Sequence, residues 1–298
     1  TGVDDALAQS AYLYIGQSRL KCSDYNGASM AFERAANMRW DNNVRETAFY
    51  NYAISQSKGG RTPFNNSIDM FEQFLNEYPN SSYYSNVENY LIDAYTTTSD
   101  YDRALRSIAN INNPSDKVLK AKQNVLYHKG VQQLRNNKPD NALNSLKEAV
   151  DMGKKDNEIY NNSKLWLAEA QYQLGDYKSA AANQQEFINA VTTSDPNYGL
   201  ALYNAGSSLF NQQDYSKAIG YFEKAIETNS LSRDMTAEAY NRIGDAYYYG
   251  KNFNAAVENY TKASRGEVES SSEYAILRKA ITFGYTPGGT GFTLSSGT

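Results

Sequence analysis

The chain has 298 residues, with 29 Lys and Arg against 33 Asp and Glu, a formal net charge of −4 and a pI near 5.3. That balance gives no basic footprint for DNA or RNA, and no run of about 18 apolar residues is present to form a membrane-spanning helix. A single cysteine excludes an internal disulfide. The 26 tyrosines, against 11 phenylalanines, suit half-exposed helix seams and binding surfaces, where an apolar ring carries a polar tip.

The N-terminal stretch TGVDDALAQSAYLYIG has no charged start followed by an apolar core and enters a helix directly, with Asp4 and Asp5 favouring its dipole. Lacking an initiator Met, the chain reads as a mature or excised piece whose targeting segment, if any, is missing. Cys22 reads as a small, semi-buried residue near a helix end, and Leu20-Lys21 before it does not fit a lipoprotein cleavage site.

From there one unit recurs with a period of about 38 residues. The first has Gly16, Asp24-Tyr25, Ala28, Phe32 and Ala35; the second is looser, with Ile54, Phe64, Ser67, Phe71 and Phe74 closing on Tyr78-Pro79. The third carries Leu91, Tyr95, Asp100-Tyr101, Ala104, Ile108 and Ile111. The fourth carries Gly130, Ala142, Leu146 and Ala149, with Pro139 at the first helical turn, where its missing N–H costs little. The fifth has Trp166, Ala168, Gly175-Asp176-Tyr177 and Ala180. The sixth, 200–226, is the clearest: Leu202, Ala205, Gly206 and Leu209 share one helical stripe, and Tyr215, Ala218, Phe222 and Ala225 another. Asp214 caps the second helix. The seventh has Tyr240, Gly244, Tyr247, Phe253, Ala256, Tyr260 and Ala263.

A small residue in the first helix, then Tyr, Ala, an aromatic and Ala down the second, resembles the tetratricopeptide repeat (TPR). The resemblance implies an all-α, right-handed α-solenoid of about seven helix hairpins, at residues 9–45, 46–83, 84–121, 122–159, 160–197, 198–235 and 236–269. Each unit is about four residues longer than the usual TPR, and the extra residues fall in polar segments such as 41–43, 153–156 and 229–232. With no long linker, 1–285 is expected to form one continuous solenoid. Residues 270–285 supply a capping helix over the last apolar face, and the Gly/Ser/Thr-rich 286–298 reads as a flexible tail or a linker.

Residues 71–81, FEQFLNEYPNS, are similar to a phrase of envelope TPR proteins of Gram-negative bacteria, and the whole series resembles long TPR proteins of the Bacteroidetes envelope. That implies a periplasmic or outer-membrane-associated scaffold, with a cytoplasmic one still open, and transfers no catalytic residue.

In such repeats the first helices line a concave groove that binds extended peptides or partner helices. The register places Leu13, Gln17, Tyr52, Gln56, Asn89, Asp93, Asn124, Tyr127, Glu169, Tyr172, Tyr203, Ser207, Asn241, Asp245 and Tyr248 on it, with Phe210 beside Tyr203 and Ser207. This is a Tyr/Asn surface with scattered acids and little base, suited to apolar contact plus backbone hydrogen bonding. One TPR subgroup grips a chain-terminal carboxylate with Lys, Arg and Asn; those cations are missing here, which argues against a carboxylate clamp for a chaperone C-terminus.

Catalytic patterns are thin. His128 is the only histidine and lies inside a first helix, far along the chain from Cys22. No zinc-type spacing or HExxH occurs, and the Gly-rich 286–291 is not a phosphate-binding loop. The chain is therefore expected to be non-enzymatic, without metal or cofactor, and to bind a protein or peptide partner; homo-oligomerisation stays open. A structural subunit of an envelope secretion or assembly machine, using its ends or convex face, is the second reading. Occupation of the groove by the chain itself or a second copy would favour it. A glycan-binding or enzymatic role is the third.

Overall fold

A computed structural model describes residues 5–59, 67–265 and 269–285. Phe64 and the segment 286–298 lie outside the described residues. Fifteen helices and no strand occur among them: α1 (Ala6–Lys21), α2 (Tyr25–Asn37), α3 (Asn42–Gly59), α4 (Ser67–Glu77), α5 (Tyr84–Thr97), α6 (Tyr101–Ala109), α7 (Asp116–Arg135), α8 (Pro139–Asp151), α9 (Asn157–Gln173), α10 (Tyr177–Ala190), α11 (Tyr198–Asn211), α12 (Tyr215–Glu227), α13 (Arg233–Tyr249), α14 (Phe253–Ser264) and α15 (Glu269–Phe283). Odd and even helices alternate as the first and second arms of seven hairpins, and α15 follows the last. The chain divides into two compact units, 1–128 and 129–298, with the boundary inside α7.

Each hairpin is built by the same local chemistry. Asp24, Asp100, Asp176 and Asp214 cap the second arms, their carboxylates accepting from the backbone N–H three residues on. Asn252 does the same for α14, and α8 begins at Pro139 without a side-chain cap. In five turns the residue just before the cap has a left-handed φ: Ser23 (59°), Asn137 (55°), Gly175 (83°), Gln213 (64°) and Lys251 (59°). The second arms bury one stripe: Ala28, Phe32 and Ala35 in α2, Ala218, Phe222 and Ala225 in α12, Ala256, Tyr260 and Ala263 in α14.

The small residue of the first arm is set by how closely the arms approach. A Cβ at Gly206 would lie 2.9 Å from the Phe222 ring, and one at Gly244 would lie 2.6 Å from Tyr260. In the fifth hairpin the aromatic slot holds Gln184 instead. It is buried, its Oε1 accepting from Ser208 Oγ at 2.9 Å and its Nε2 unpartnered.

In the N-terminal unit α1, α2 and α3 pack in sequence, as do α3, α4 and α5, while α1 touches α3 and α4 touches α6. Phe49, Phe71, Phe74, Leu91 and Tyr95 belong to its larger core. Polar tethers hold successive hairpins. Buried Gln9 donates to the carbonyls of Ala35, Met38 and Asp41 and accepts from Asp41 N–H, so one side chain satisfies the exit of α2 and the entry to α3. Buried Glu72 accepts from Ser107 Oγ and from Asn110 Nδ2 (3.1 Å), and the Tyr95 hydroxyl bonds Ser107 Oγ at 2.8 Å.

In the C-terminal unit consecutive helices pack from α8 through α15; the first arms also touch one another, α9 on α11 and α11 on α13, and α13 touches the C-terminal helix α15. The first arms α9, α11 and α13 run 17, 14 and 17 residues, and the second arms α10, α12 and α14 run 14, 13 and 12. Cys22 ends α1 as an exposed residue, not a semi-buried one. No helix of the described residues is long and apolar enough to cross a membrane.

Candidate functional site

The row of first arms α9, α11 and α13 in the C-terminal unit encloses a cleft of about 320 Å³, lined by Glu169, Tyr172, Tyr203, Asn204, Ser207, Phe210, Asn211, Glu238 and Arg242. Four residues placed on the groove by register, Glu169, Tyr172, Tyr203 and Ser207, come together here, and so does Phe210. Their helices fix them because positions three and four apart share a face.

The walls are braced by short polar contacts. Asn211 Nδ2 donates to the Tyr172 hydroxyl (3.1 Å) and to the Ser207 carbonyl (2.9 Å), joining α9 to α11. Tyr203 packs edge-on against buried Phe222, 5.5 Å between ring centres. Burial pushes its hydroxyl up to about 12, with the Glu238 charge adding to the effect. Glu238 pairs with Arg242 at 2.7 Å, one helical turn away, and the Arg242 guanidinium stands 5.9 Å from the Phe210 ring centre. Glu169 accepts from the neutral amide of Gln173 at 2.8 Å.

Register reasoning missed Asn204, Asn211, Glu238 and Arg242, each of which sits beside the positions it used and is brought in by the neighbouring arm. Among the described residues, Arg242 is the one basic residue lining the cleft, and Glu238 and, at 3.5 Å, Asp245 balance its charge.

Asn241 and Asp245 are elsewhere than expected. Both are buried, covered by α15. Asn241 Nδ2 donates to the Ser271 carbonyl at 3.1 Å. Asp245 accepts from Tyr260 OH (2.8 Å), from Tyr274 OH (2.9 Å to each oxygen) and from Arg278 Nε (3.1 Å). The Arg278 guanidinium lies 4.4 Å from the centre of the Tyr248 ring. The three groove positions of the last hairpin thus form the seat of the chain's own C-terminal helix. Burial, with the Asp245 carboxylate between them adding to it, pushes the Tyr260 and Tyr274 hydroxyls upward, Tyr274 to about 12.

In the N-terminal unit the expected residues do not converge on one site. Leu13 is buried, Tyr52 is half-buried against the core, and Gln56 turns to Ser29 Oγ of α2 at 2.8 Å. Asn89 and Asp93 are exposed on α5, and Asp93 borders a hollow of about 190 Å³ with Phe71, Tyr90 and Thr97. Asn124 and Tyr127 are half-buried on α7, with the Tyr127 ring edge-on to exposed His128 at 4.9 Å.

Three family models, each described as tetratricopeptide repeat, match residues 47–81, 129–190 and 197–266, together more than half of the chain. This chain is a tetratricopeptide repeat protein. Among solved structures with a similar fold, the MamA protein is 25% identical, covering 65% of this chain and 97% of its own, with a TM-score of 0.46. YrrB, titled a TPR protein with an unusual peptide-binding site, is 20% identical over 70% of this chain and 97% of its own, with a TM-score of 0.47. A TPR protein of Parabacteroides merdae is 15% identical over 92% of this chain and 99% of its own, with a TM-score of 0.38. No curated protein matches. The tetratricopeptide repeats make the chain a protein-interaction scaffold in general terms, and none of the matched families is catalytic.

Proposed function

We propose that this TPR protein is a non-enzymatic scaffold that binds a partner polypeptide in the cleft of its C-terminal unit. The observation that carries the reading is the convergence of Tyr172, Tyr203 and Phe210 with Glu169, Ser207, Asn204 and Asn211 on the first-arm row. Rings give contact area at low entropic cost, and the short amides and hydroxyl can bond a peptide backbone. The envelope setting rests on the resemblance of residues 71–81 and belongs to this proposal.

The test uses peptides selected from a displayed library against the purified chain. Ser207→Arg, which fills the cleft, should weaken their binding at least tenfold while helicity by circular dichroism is kept. Glu223→Arg, on the exposed side of α12, should leave it unchanged. Selected peptides that bind Ser207→Arg as tightly as the wild type would refute the cleft.

A second reading, a structural module that uses its surfaces without a groove ligand, is favoured at the last hairpin alone. There the chain's own helix α15 holds the seat made by Asn241, Asp245 and Tyr248.

A further inference from the structure

The seat of α15 shows what this surface does with an arginine. On α13 a carboxylate and a ring three residues apart, Asp245 and Tyr248, receive Arg278: its Nε lies 3.1 Å from Asp245, and its guanidinium lies over the Tyr248 ring. Charge-assisted bonding and attraction to the ring face act on the same planar group, a combination an ammonium meets less well.

Two repeats earlier, in the same register on α9, stand Glu169 and Tyr172. They have the same chemistry at the same spacing, and they border the open cleft instead of a cap. The carboxylate there lacks the cation that Asp245 has. Glu169 accepts from neutral Gln173 and, among the described residues, forms no ion pair. The other acid of the cleft, Glu238, is held by Arg242 at 2.7 Å. One cation is thus shared out already, and the charge left over is the Glu169 carboxylate beside the Tyr172 ring.

We propose that the Glu169–Tyr172 pair is an arginine-binding position, taking a guanidinium from the partner polypeptide as Asp245–Tyr248 takes Arg278. The inference rests on the cleft being a polypeptide site, and it names the partner's chemistry: a segment presenting arginine, not an acidic or purely apolar one.

The probe is a synthetic peptide with the sequence of residues 271–283, which contains Arg278, compared with the same peptide carrying Arg278→Gln. Both are titrated into the intact chain with ring-labelled tyrosines, Tyr172 being assigned through Tyr172→Phe. The arginine peptide should shift the Tyr172 signal and bind at least tenfold more tightly than the glutamine peptide. In the Glu169→Gln chain that difference should shrink to less than threefold.

Equal binding of the two peptides at Tyr172 would overturn the arginine assignment and leave the cleft standing. Shifts confined to Tyr248 and Tyr260, the peptide merely exchanging with α15, would overturn it too, as would no binding. Library peptides that ignore Ser207→Arg would instead remove the cleft itself, so the two failures are distinct.

Discussion

Replacing Asp245 with alanine should release α15 from the last hairpin. The Asp245 side chain is 4% exposed and accepts from two tyrosine hydroxyls and Arg278, whose own side chain is 18% exposed. A hydrogen bond to a charged group contributes about 1.5–3 kcal/mol, so three of them set an upper bound well above what is observed when one partner of a buried pair is removed, about 3–5 kcal/mol. The lower range applies here because the freed Arg278 can turn towards water, and Arg242 keeps Glu238. At about 1.4 kcal/mol per factor of ten, amide exchange in α15 should speed up by about two orders of magnitude or more, until it reaches the rate of an unprotected helix. Exchange in α9 and α10 should stay as it was. Asp245→Asn, which keeps the shape and loses the charge, should fall between. If α15 exchanges at the wild-type rate in Asp245→Ala, the carboxylate is not what holds it. If every helix loosens equally, the effect is not local docking.

Three further outcomes follow from the same geometry. Gly206→Ala gains up to about 1 kcal/mol of helix propensity but drives a Cβ to 2.9 Å from fully buried Phe222, at an overpacking cost of about 1–3 kcal/mol, so denaturant unfolding should show net destabilisation; Gly220→Ala, with nothing within 4 Å, should stabilise by up to about 1 kcal/mol. Burial raises the Glu72 carboxyl above the usual glutamate range despite its bonds from Ser107 and Asn110. The native state therefore keeps a proton that the unfolded chain loses near pH 4.3, and stability falls as pH rises through that window. Glu72→Gln should then be more stable than wild type at pH 7 and lose that advantage by pH 4, read from urea midpoints across the range. Tyr274, raised to about 12, likewise holds its proton beyond the ordinary value near 10, so its share of cap stability is complete below about pH 10 and is lost as pH rises towards 12. Exchange in α15 should quicken over that interval, and Tyr274→Phe should make the alkaline step smaller, the part that remains belonging to Tyr260, which donates to the same carboxylate and is also raised.

The hairpins were legible because their determinants are local. Gly206 and Phe222, or Gly244 and Tyr260, are a small residue and a ring whose helical spacing already states that two arms touch, and Asp214 states where the second arm begins. The site was only half legible. Register found Glu169, Tyr172, Tyr203 and Ser207 because they recur at fixed places on the first arms. It could not find Glu238 and Arg242, whose role depends on which neighbour they lean towards. It also put Asp245 in the open groove, because nothing in a repeat reveals what covers its last copy. The available signal was in α15, where Tyr274 and Arg278 stand one turn apart with complementary chemistry to a buried acid. Gln184 in an aromatic slot is a polar departure that the pattern alone does not explain, and its unpartnered Nε2 leaves it without a packing reason.

The turn inside the hairpins has a consequence for how such a chain can be rebuilt. Serine, asparagine, glycine, glutamine and lysine all occupy the same left-handed position, at 23, 137, 175, 213 and 251. A left-handed backbone costs an ordinary residue roughly 1–2 kcal/mol, so the conformation is imposed by the two packed arms and not chosen by the letter at the bend. Turn segments should therefore be interchangeable parts. A four-residue graft from one hairpin to another would carry its side chains to a new address without altering the angle at which the arms leave it, and loops bearing new chemistry can be installed at these five corners with the stack as scaffold.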